Sequence, residues 1–160
     1  MDRLVKTIDA VLEKVLIFLM AVMVITVTWQ VATRYLLNSP SSYTEELASY
    51  LLIWISLLGA TYALHRKAHL GIDILARKFT GKSRAVLNIV INSAVIAFAI
   101  VVCIYGGARL VYVTLKLNQL SAAFQVPIGY IYTVLPLSGV LFIVYALDAM
   151  RQPQEQGATD

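Results

Sequence analysis

The residues that could do chemistry are concentrated in one short stretch, "HRKAHLGID". It contains both histidines of the chain, His65 and His69, together with Arg66, Lys67 and Asp73. Residues four apart share one face of a helix, so the two imidazoles could contact the same metal ion. Two ligands do not complete a metal site, and the neighbouring cations would repel the ion. We therefore expect no metal here.

The rest of the chain offers no reaction centre either. The single cysteine, Cys103, lies in an apolar run away from both histidines, so a nucleophile–base pair is not indicated. No glycine-rich phosphate loop is present, and "YGGAR" is better interpreted as a site of close helix packing. Haem binding needs axial ligands inside a helical bundle, which two histidines at one rim do not supply. We expect no enzyme activity and no cofactor.

Composition indicates the class of protein. The chain has 160 residues, of which 59% are hydrophobic and 14% charged. Soluble domains have roughly 45–50% apolar and about 25% charged residues. This imbalance predicts a membrane protein. The net charge is +4, but cations and aromatic residues do not alternate on a polar background, so nucleic acid is not an expected partner.

Four uncharged apolar runs predict an all-α membrane protein with one four-helix domain over residues 1–150. The first run is longer than the apolar core of a signal peptide and is expected to be retained. Pro127 suits the start of the fourth helix, and Pro136 predicts a kink within it. Residues 151–160 are expected to be disordered. The predicted spans are about 12–34, 46–65, 84–110 and 127–148.

The distribution of Lys and Arg predicts the orientation. Ten of the 13 fall in the N-terminal segment, the 65–84 loop or the C-terminal tail, and the others are Arg34, Arg109 and Lys116. The positive-inside rule therefore places both termini and this loop in the cytoplasm. Tyrosines near the other ends of the spans are expected to form an aromatic belt: Tyr35, Tyr43, Tyr112 and Tyr130.

The 65–84 loop has a pattern of its own. Ile72, Leu75 and Phe79 recur at helical spacing, which favours a short amphipathic helix on the cytoplasmic membrane surface, ended by Gly81. An irregular basic loop is the alternative. Because the loop faces the anionic leaflet, four of its basic residues are candidates for binding lipid headgroups: Arg66, Lys67, Arg77 and Lys78.

The spans themselves carry few charged groups. Arg34 and Glu46 lie at the borders of the first two spans, and an ion pair of Glu46 with Arg34 or Arg109 is one expectation. The alternative is that each reaches separately to headgroups. Self-sufficient ion-coupled transporters usually have ionisable groups within the membrane, so this profile favours a supporting subunit. A stand-alone four-helix multidrug-type transporter and a haem-carrying membrane anchor are the alternatives.

Three segments resemble a known family: "RYLLNSP", "YTEELASYLLIWISLLGATYALHRKAHLGIDIL" and "VPIGYIYTVLPLSG". In this order they are similar to the small integral-membrane subunit (Q subunit) of tripartite ATP-independent periplasmic (TRAP) transporters. The chain departs from the family at Tyr43, where tryptophan is frequent, and at Gly129-Tyr130. The residues that match the family's spacing are Glu46, Trp54, Gly59, Ala60, Arg66, His69 and Asp73.

The resemblance implies a non-catalytic scaffold subunit in the bacterial inner membrane. Its expected partners are a large multi-span subunit with the substrate and sodium sites, a periplasmic substrate-binding protein that delivers an organic acid, and membrane lipids. We consider a set of residues as candidates for partner contacts or structural roles: Arg34, Glu46, Trp54, Gly59, Ala60, His69 and Asp73.

Overall fold

The computed structural model describes residues 2–36, 41–66 and 82–151. Four helical segments in these ranges are long and apolar enough to cross a bilayer: Val5–Leu36, Ser42–His65, Val86–Lys116 and Ile128–Met150. The prediction of an all-α membrane protein with four spans is confirmed. The predicted amphipathic helix and the C-terminal tail fall largely on residues 67–81 and 152–160, which lie outside the described residues.

The first helix, α1 (Asp2–Leu36), begins well before the predicted span. Its 35 residues correspond to about 52 Å at about 1.5 Å per residue, against roughly 30 Å for the hydrocarbon core. The helix therefore extends beyond the core or tilts within it. The second helix, α2 (Ser42–His65), follows the short segment 37–41.

The third span changes its helical form along its length. It consists of α3 (Lys82–Phe98), a π-helical segment (Ala99–Gly106) and α4 (Gly107–Lys116). Gly107 confirms the close packing expected for "YGGAR", because a Cβ there would lie 2.8 Å from the Leu135 Cβ. A Cβ at Gly139 would likewise lie 2.8 Å from the Cys103 Cβ. These glycines let the third and fourth spans approach closely.

The fourth span begins with a 3₁₀ helix (Ile128–Thr133), for which Pro127 is the N-cap residue, and continues as α5 (Val134–Arg151). Pro136 lies in the first turn of α5 rather than in the middle of a continuous α-helix. A proline is tolerated there because the N–H groups of the first turn have no intrahelical acceptor. The helix changes from 3₁₀ to α geometry at Val134, two residues before Pro136, and the kink at Pro136 stays a prediction.

The spans are arranged in the order first, second, fourth, third. Among the described residues, α1 packs mainly on α2, α2 on α5, and α5 on the π-helical segment and α3, while α1 does not pack against the third span. The buried core is small: Val5, Leu12, Leu58, Val134 and Tyr145. Large apolar side chains such as Ile17, Phe18 and Ile25 are 62–69% exposed. Such a surface requires lipid or protein partners.

Candidate functional site: polar clusters at the two ends of α2

Polar contacts between elements are concentrated at the two ends of α2. No group of three or more His, Cys, Asp or Glu side chains able to hold a metal ion occurs among the described residues. Near its N-terminal end lies a group that we call the Glu46 cluster: Glu46, Tyr50 and the turn 121–124. At its C-terminal end lies the Arg66 cluster: Asp9, Glu13, Tyr62, His65, Arg66 and Tyr145.

The Glu46 carboxylate is held by backbone donors from a distant turn. The N–H groups of Ala122 and Ala123 donate to its Oε1 and Oε2 at 3.1 Å and 2.7 Å. The N–H of Phe124 lies 3.4 Å from Oε2, and the Tyr50 hydroxyl donates to Oε1 from the next turn of α2. Several donors converging on one carboxylate fix its position and satisfy its negative charge.

The turn can present these amides because its own hydrogen bonds fold it back tightly. The N–H of Ser121 donates to the Val126 carbonyl at 2.9 Å, and that of Gln125 donates to the Ser121 carbonyl at 3.1 Å. The N–H of Phe124 also reaches Ser121 Oγ at 3.2 Å. Gln125 adopts a φ of 55°, which completes the reversal. Three successive N–H groups thereby face Glu46, and that of Phe124 is shared with Ser121.

An aromatic contact lies beside this turn. The rings of Tyr43 and Phe124 meet edge to face, with centroids 5.5 Å apart. Both side chains are more than a third exposed, so the contact lies at the surface of the cluster. It adds a second connection between the start of α2 and the 117–127 loop.

The ion pairs expected for Glu46 are not formed within the described part of the chain. Its carboxylate has the turn amides as partners instead of Arg34 or Arg109, both of which are exposed. Sequence reasoning missed this contact because its donors are main-chain groups 76 to 78 residues away. The only local signal is that Ser121 and two small alanines precede Phe124, which suits a turn with an accessible backbone.

In the Arg66 cluster, side chains supply both the donors and the acceptors. Arg66 Nη2 lies 3.4 Å from Asp9 Oδ2 and 3.5 Å from Glu13 Oε2. The guanidinium also lies over the Tyr62 ring, 5.2 Å from its centroid, and the Tyr62 hydroxyl donates to Glu13 Oε2 at 3.4 Å. The Tyr62 hydroxyl above all, and the two carboxylates, raise the pKa of Arg66 above its ordinary value. Arg66 therefore stays cationic and ties α2 to α1.

His65 faces the interior of this cluster. Its ring stacks on Tyr145 of α5 with centroids 4.6 Å apart, and its Nε2 lies 3.9 Å from Asp9 Oδ1. The side chain thus contacts α1 and α5 together. His69 and Asp73 lie outside the described residues, as do Lys67, Arg77 and Lys78. Their predicted roles in contacts with partners or lipids stay predictions.

The remaining candidates lie between the two clusters. Trp54 is partly buried and packs against the core, which indicates a structural role within the chain. Ala60 is also partly buried. Gly59 differs from Gly107 and Gly139, because a Cβ there would meet no atom of another described part of the chain within 4 Å. Packing within the chain therefore does not account for this glycine.

Asn88 and Asn92 form a polar contact between the third and fourth spans. Asn92 Nδ2 donates to Asn88 Oδ1 at 2.8 Å within α3. Asn88 Nδ2 lies 3.5 Å from the Ala149 carbonyl of α5. Asn88 thus links the third and fourth spans and is held in place by Asn92.

The sequence is similar to known proteins over most of its length. Residues 23–155 match the family described as tripartite ATP-independent periplasmic transporters, DctQ component. The chain is 32% identical over 135 residues to the sialic acid TRAP transporter small permease protein of Vibrio cholerae, covering 81% of this chain and 78% of that protein. It is 30% identical over 144 residues to a putative TRAP transporter small permease protein of Haemophilus influenzae, covering 88% and 86%.

A third relative is longer. The isethionate TRAP transporter permease protein of Oleidesulfovibrio alaskensis is 28% identical over 160 residues, which cover 95% of this chain but 25% of that protein. The family match and the identity to the Vibrio protein both extend over most of the chain. The chain therefore belongs to the DctQ family, the small permease subunits of TRAP transporters.

Proposed function

We propose that this chain is a non-catalytic scaffold for the large membrane subunit in sodium-coupled uptake of an organic acid. The observation that carries the proposal is that three of its carboxylates have partners within the chain. Glu46 accepts backbone N–H groups within the chain, and Asp9 and Glu13 pair with Arg66. Carboxylates engaged in this way hold helices together and are poorly suited to exchanging ions or substrate.

The longer isethionate relative supports a large membrane partner. About three quarters of that permease protein lies outside the part similar to this chain. We infer that a separate large multi-span subunit does here what the remainder of that single chain does there. The exposed apolar side chains of α1 and the open space beside Gly59 leave room for such a partner. Membrane lipids cover the other apolar faces.

An organic acid is the proposed substrate class. Relatives of this chain are named for sialic acid, isethionate and C4-dicarboxylates. All three are small organic anions, although their sizes and acidic groups differ. A periplasmic binding protein delivers the acid to the large subunit, which holds the substrate and sodium sites.

The proposed location is the bacterial inner membrane, with both termini in the cytoplasm. The excess of Lys and Arg in the terminal segments and in the 65–84 loop supports this orientation. The Arg66 cluster then lies on the cytoplasmic side and the Glu46 cluster on the periplasmic side. Arg66, although paired with α1, is 52% exposed and remains accessible to a headgroup. Lys67, Arg77 and Lys78 are proposed to bind headgroups on the same side because they belong to the same basic loop.

Co-purification and transport measurements test the proposal together. The tagged chain, expressed with the large subunit of the same transporter, should retain it in mild detergent at a fixed stoichiometry. In liposomes the pair, supplied with binding protein and a sodium gradient, should take up the organic acid, whereas this chain alone should not. His69→Ala and Asp73→Ala should reduce assembly or uptake only in part.

Three outcomes would contradict this function. A chain that migrates as a free monomer beside the large subunit is not its scaffold. Transport by the chain alone would favour the multidrug-type alternative. A Soret band in the purified protein would favour the haem-carrying anchor.

A further inference from the structure

Two polar atoms of the Arg66 cluster are buried and have no hydrogen-bond partner within the described part of the chain: Asp9 Oδ1 and Tyr145 Oη. Tyr145 is 1% exposed, so folding has removed its hydroxyl from bulk water. Leaving such atoms unpaired is costly, and native proteins therefore satisfy most of them. Each of the two atoms therefore needs a hydrogen-bond partner.

His65 contacts both of these residues. Its ring stacks on the Tyr145 ring at 4.6 Å, and its Nε2 lies 3.9 Å from Asp9 Oδ1. A separation of 3.9 Å is too long for a direct hydrogen bond. The site is bordered by one polar side chain from each of α1, α2 and α5.

The charges around the site determine what it can hold. A metal cation is disfavoured, because the Arg66 guanidinium already lies 3.4 Å from the other oxygen of the same carboxylate. A water molecule can donate to Asp9 Oδ1 and exchange hydrogen bonds with Tyr145 Oη and His65 Nε2. Buried waters in proteins typically make about three such bonds. The number and type of groups at this site therefore match one water molecule.

We propose that Asp9 Oδ1, His65 Nε2 and Tyr145 Oη bind one water molecule where α1, α2 and α5 meet. This water supplies a polar link from α1 to α5, two helices that otherwise share few contacts. It completes the hydrogen bonding of the Arg66 cluster. The inference concerns how this chain is held together and does not depend on its proposed role in transport.

Tyr145→Phe tests the site in the full chain in lipid nanodiscs. If the hydroxyl binds water, its loss should lower the thermal unfolding midpoint by about 2–4 °C, the shift that one lost hydrogen bond produces in a chain of this size. Tyr112→Phe is the matched control, because Tyr112 is 64% exposed. Its midpoint should stay unchanged. An unchanged or higher midpoint for Tyr145→Phe would overturn the proposal, because removing an unpaired hydroxyl should not destabilise the fold.

A direct hydrogen bond from Tyr145 to Asp9 would also be lost in Tyr145→Phe, so a second measurement separates it from bound water. A high-resolution crystal structure of the full chain grown in a lipidic mesophase should show a density peak within about 3 Å of both atoms. A map in which Tyr145 Oη contacts the Asp9 carboxylate directly, with no peak between them, would overturn the proposal. Asp9→Asn and Tyr145→Phe should also be non-additive, since both act on the same water.

Discussion

The Glu46 and Arg66 clusters join the same helix to its neighbours with different kinds of donor. At the first, the donors are backbone N–H groups of a turn whose shape is set by its own hydrogen bonds. At the second, the donors are side chains, and Arg66 is 52% exposed. Fixed amides lose little entropy when they bind a carboxylate, whereas an exposed arginine must be ordered and is screened by salt. We call each cluster a joint between α2 and its neighbouring elements. The Glu46 cluster should therefore be the stronger joint, the one that stabilises the fold more.

The largest effect is expected from Glu46→Ala. The substitution leaves the N–H groups of Ala122 and Ala123 without their acceptor and removes the partner of Tyr50. The unfolding midpoint should fall by several degrees, and proteolysis within the 117–127 loop should accelerate. Glu45→Ala is the matched control, because Glu45 is the adjacent residue and its exposed side chain makes none of these contacts. Equal effects of the two substitutions would show that the turn does not depend on Glu46.

Glu46→Gln sharpens the same test. The amide oxygen still accepts one or two of the turn N–H groups, but its NH₂ group faces donors and cannot replace the second carboxylate oxygen. Its unfolding midpoint should lie between those of the native chain and Glu46→Ala. A midpoint equal to that of the native chain would show that the negative charge adds nothing to the joint.

A smaller effect is expected from Arg66→Ala, which removes the link from α2 to Asp9 and Glu13. The unfolding midpoint of Arg66→Ala should lie below that of the native chain at low salt. The difference should shrink as salt is added, because salt screens the ion pairs of the native chain. The pKa of Arg66 is raised, so its contribution is fully present below the ordinary arginine pKa and is lost only above it. Changing pH from 6 to about 9 should therefore leave the Arg66 contribution unchanged. A salt-independent loss as large as that of Glu46→Ala would reverse the proposed ranking.

The two clusters also differ in how far the sequence could predict them. The four spans, the start at Pro127 and the packing role of Gly107 follow from apolar runs and from residue types with strong local preferences. Arg66 stands out in the sequence because a cation at a span border is conspicuous. Its partners Asp9 and Glu13 do not stand out, since only tertiary packing brings α1 beside Arg66. The acceptor role of Glu46 depends on main-chain geometry, which residue types encode only weakly.

Tyr62→Phe should have a still smaller effect. The hydroxyl donates to Glu13 at 3.4 Å in an exposed position, where water can replace it. The ring remains beneath the Arg66 guanidinium, so the cation–π contact is retained. The midpoint should change by less than half as much as in Arg66→Ala. A change as large as that of Arg66→Ala would place the Tyr62 hydroxyl, and not the ion pairs, at the centre of the cluster.

Gly59→Ala should have the smallest effect on the isolated chain, because the position lies between the two joints and touches neither. Its Cβ would meet no atom within 4 Å, and alanine is favoured over glycine within a helix by about 1 kcal/mol. The substitution should be neutral or slightly stabilising. Gly107→Ala is the contrasting control, since its Cβ would lie 2.8 Å from the Leu135 Cβ. It should destabilise the chain by about 1–3 kcal/mol through overpacking.

Gly59→Leu then separates stability from assembly. No atom of the described residues lies within 4 Å of where its Cβ would be, so the unfolding midpoint of the isolated chain should stay near that of the native protein. If a helix of the large subunit packs closely at Gly59, co-purification of that subunit should fall sharply with the same variant. Normal assembly would show that Gly59 does not lie at the interface with the large subunit. The exposed face of α1 would then be the remaining candidate for that interface. The joints at the ends of α2 would then hold the chain together, with the partner bound elsewhere.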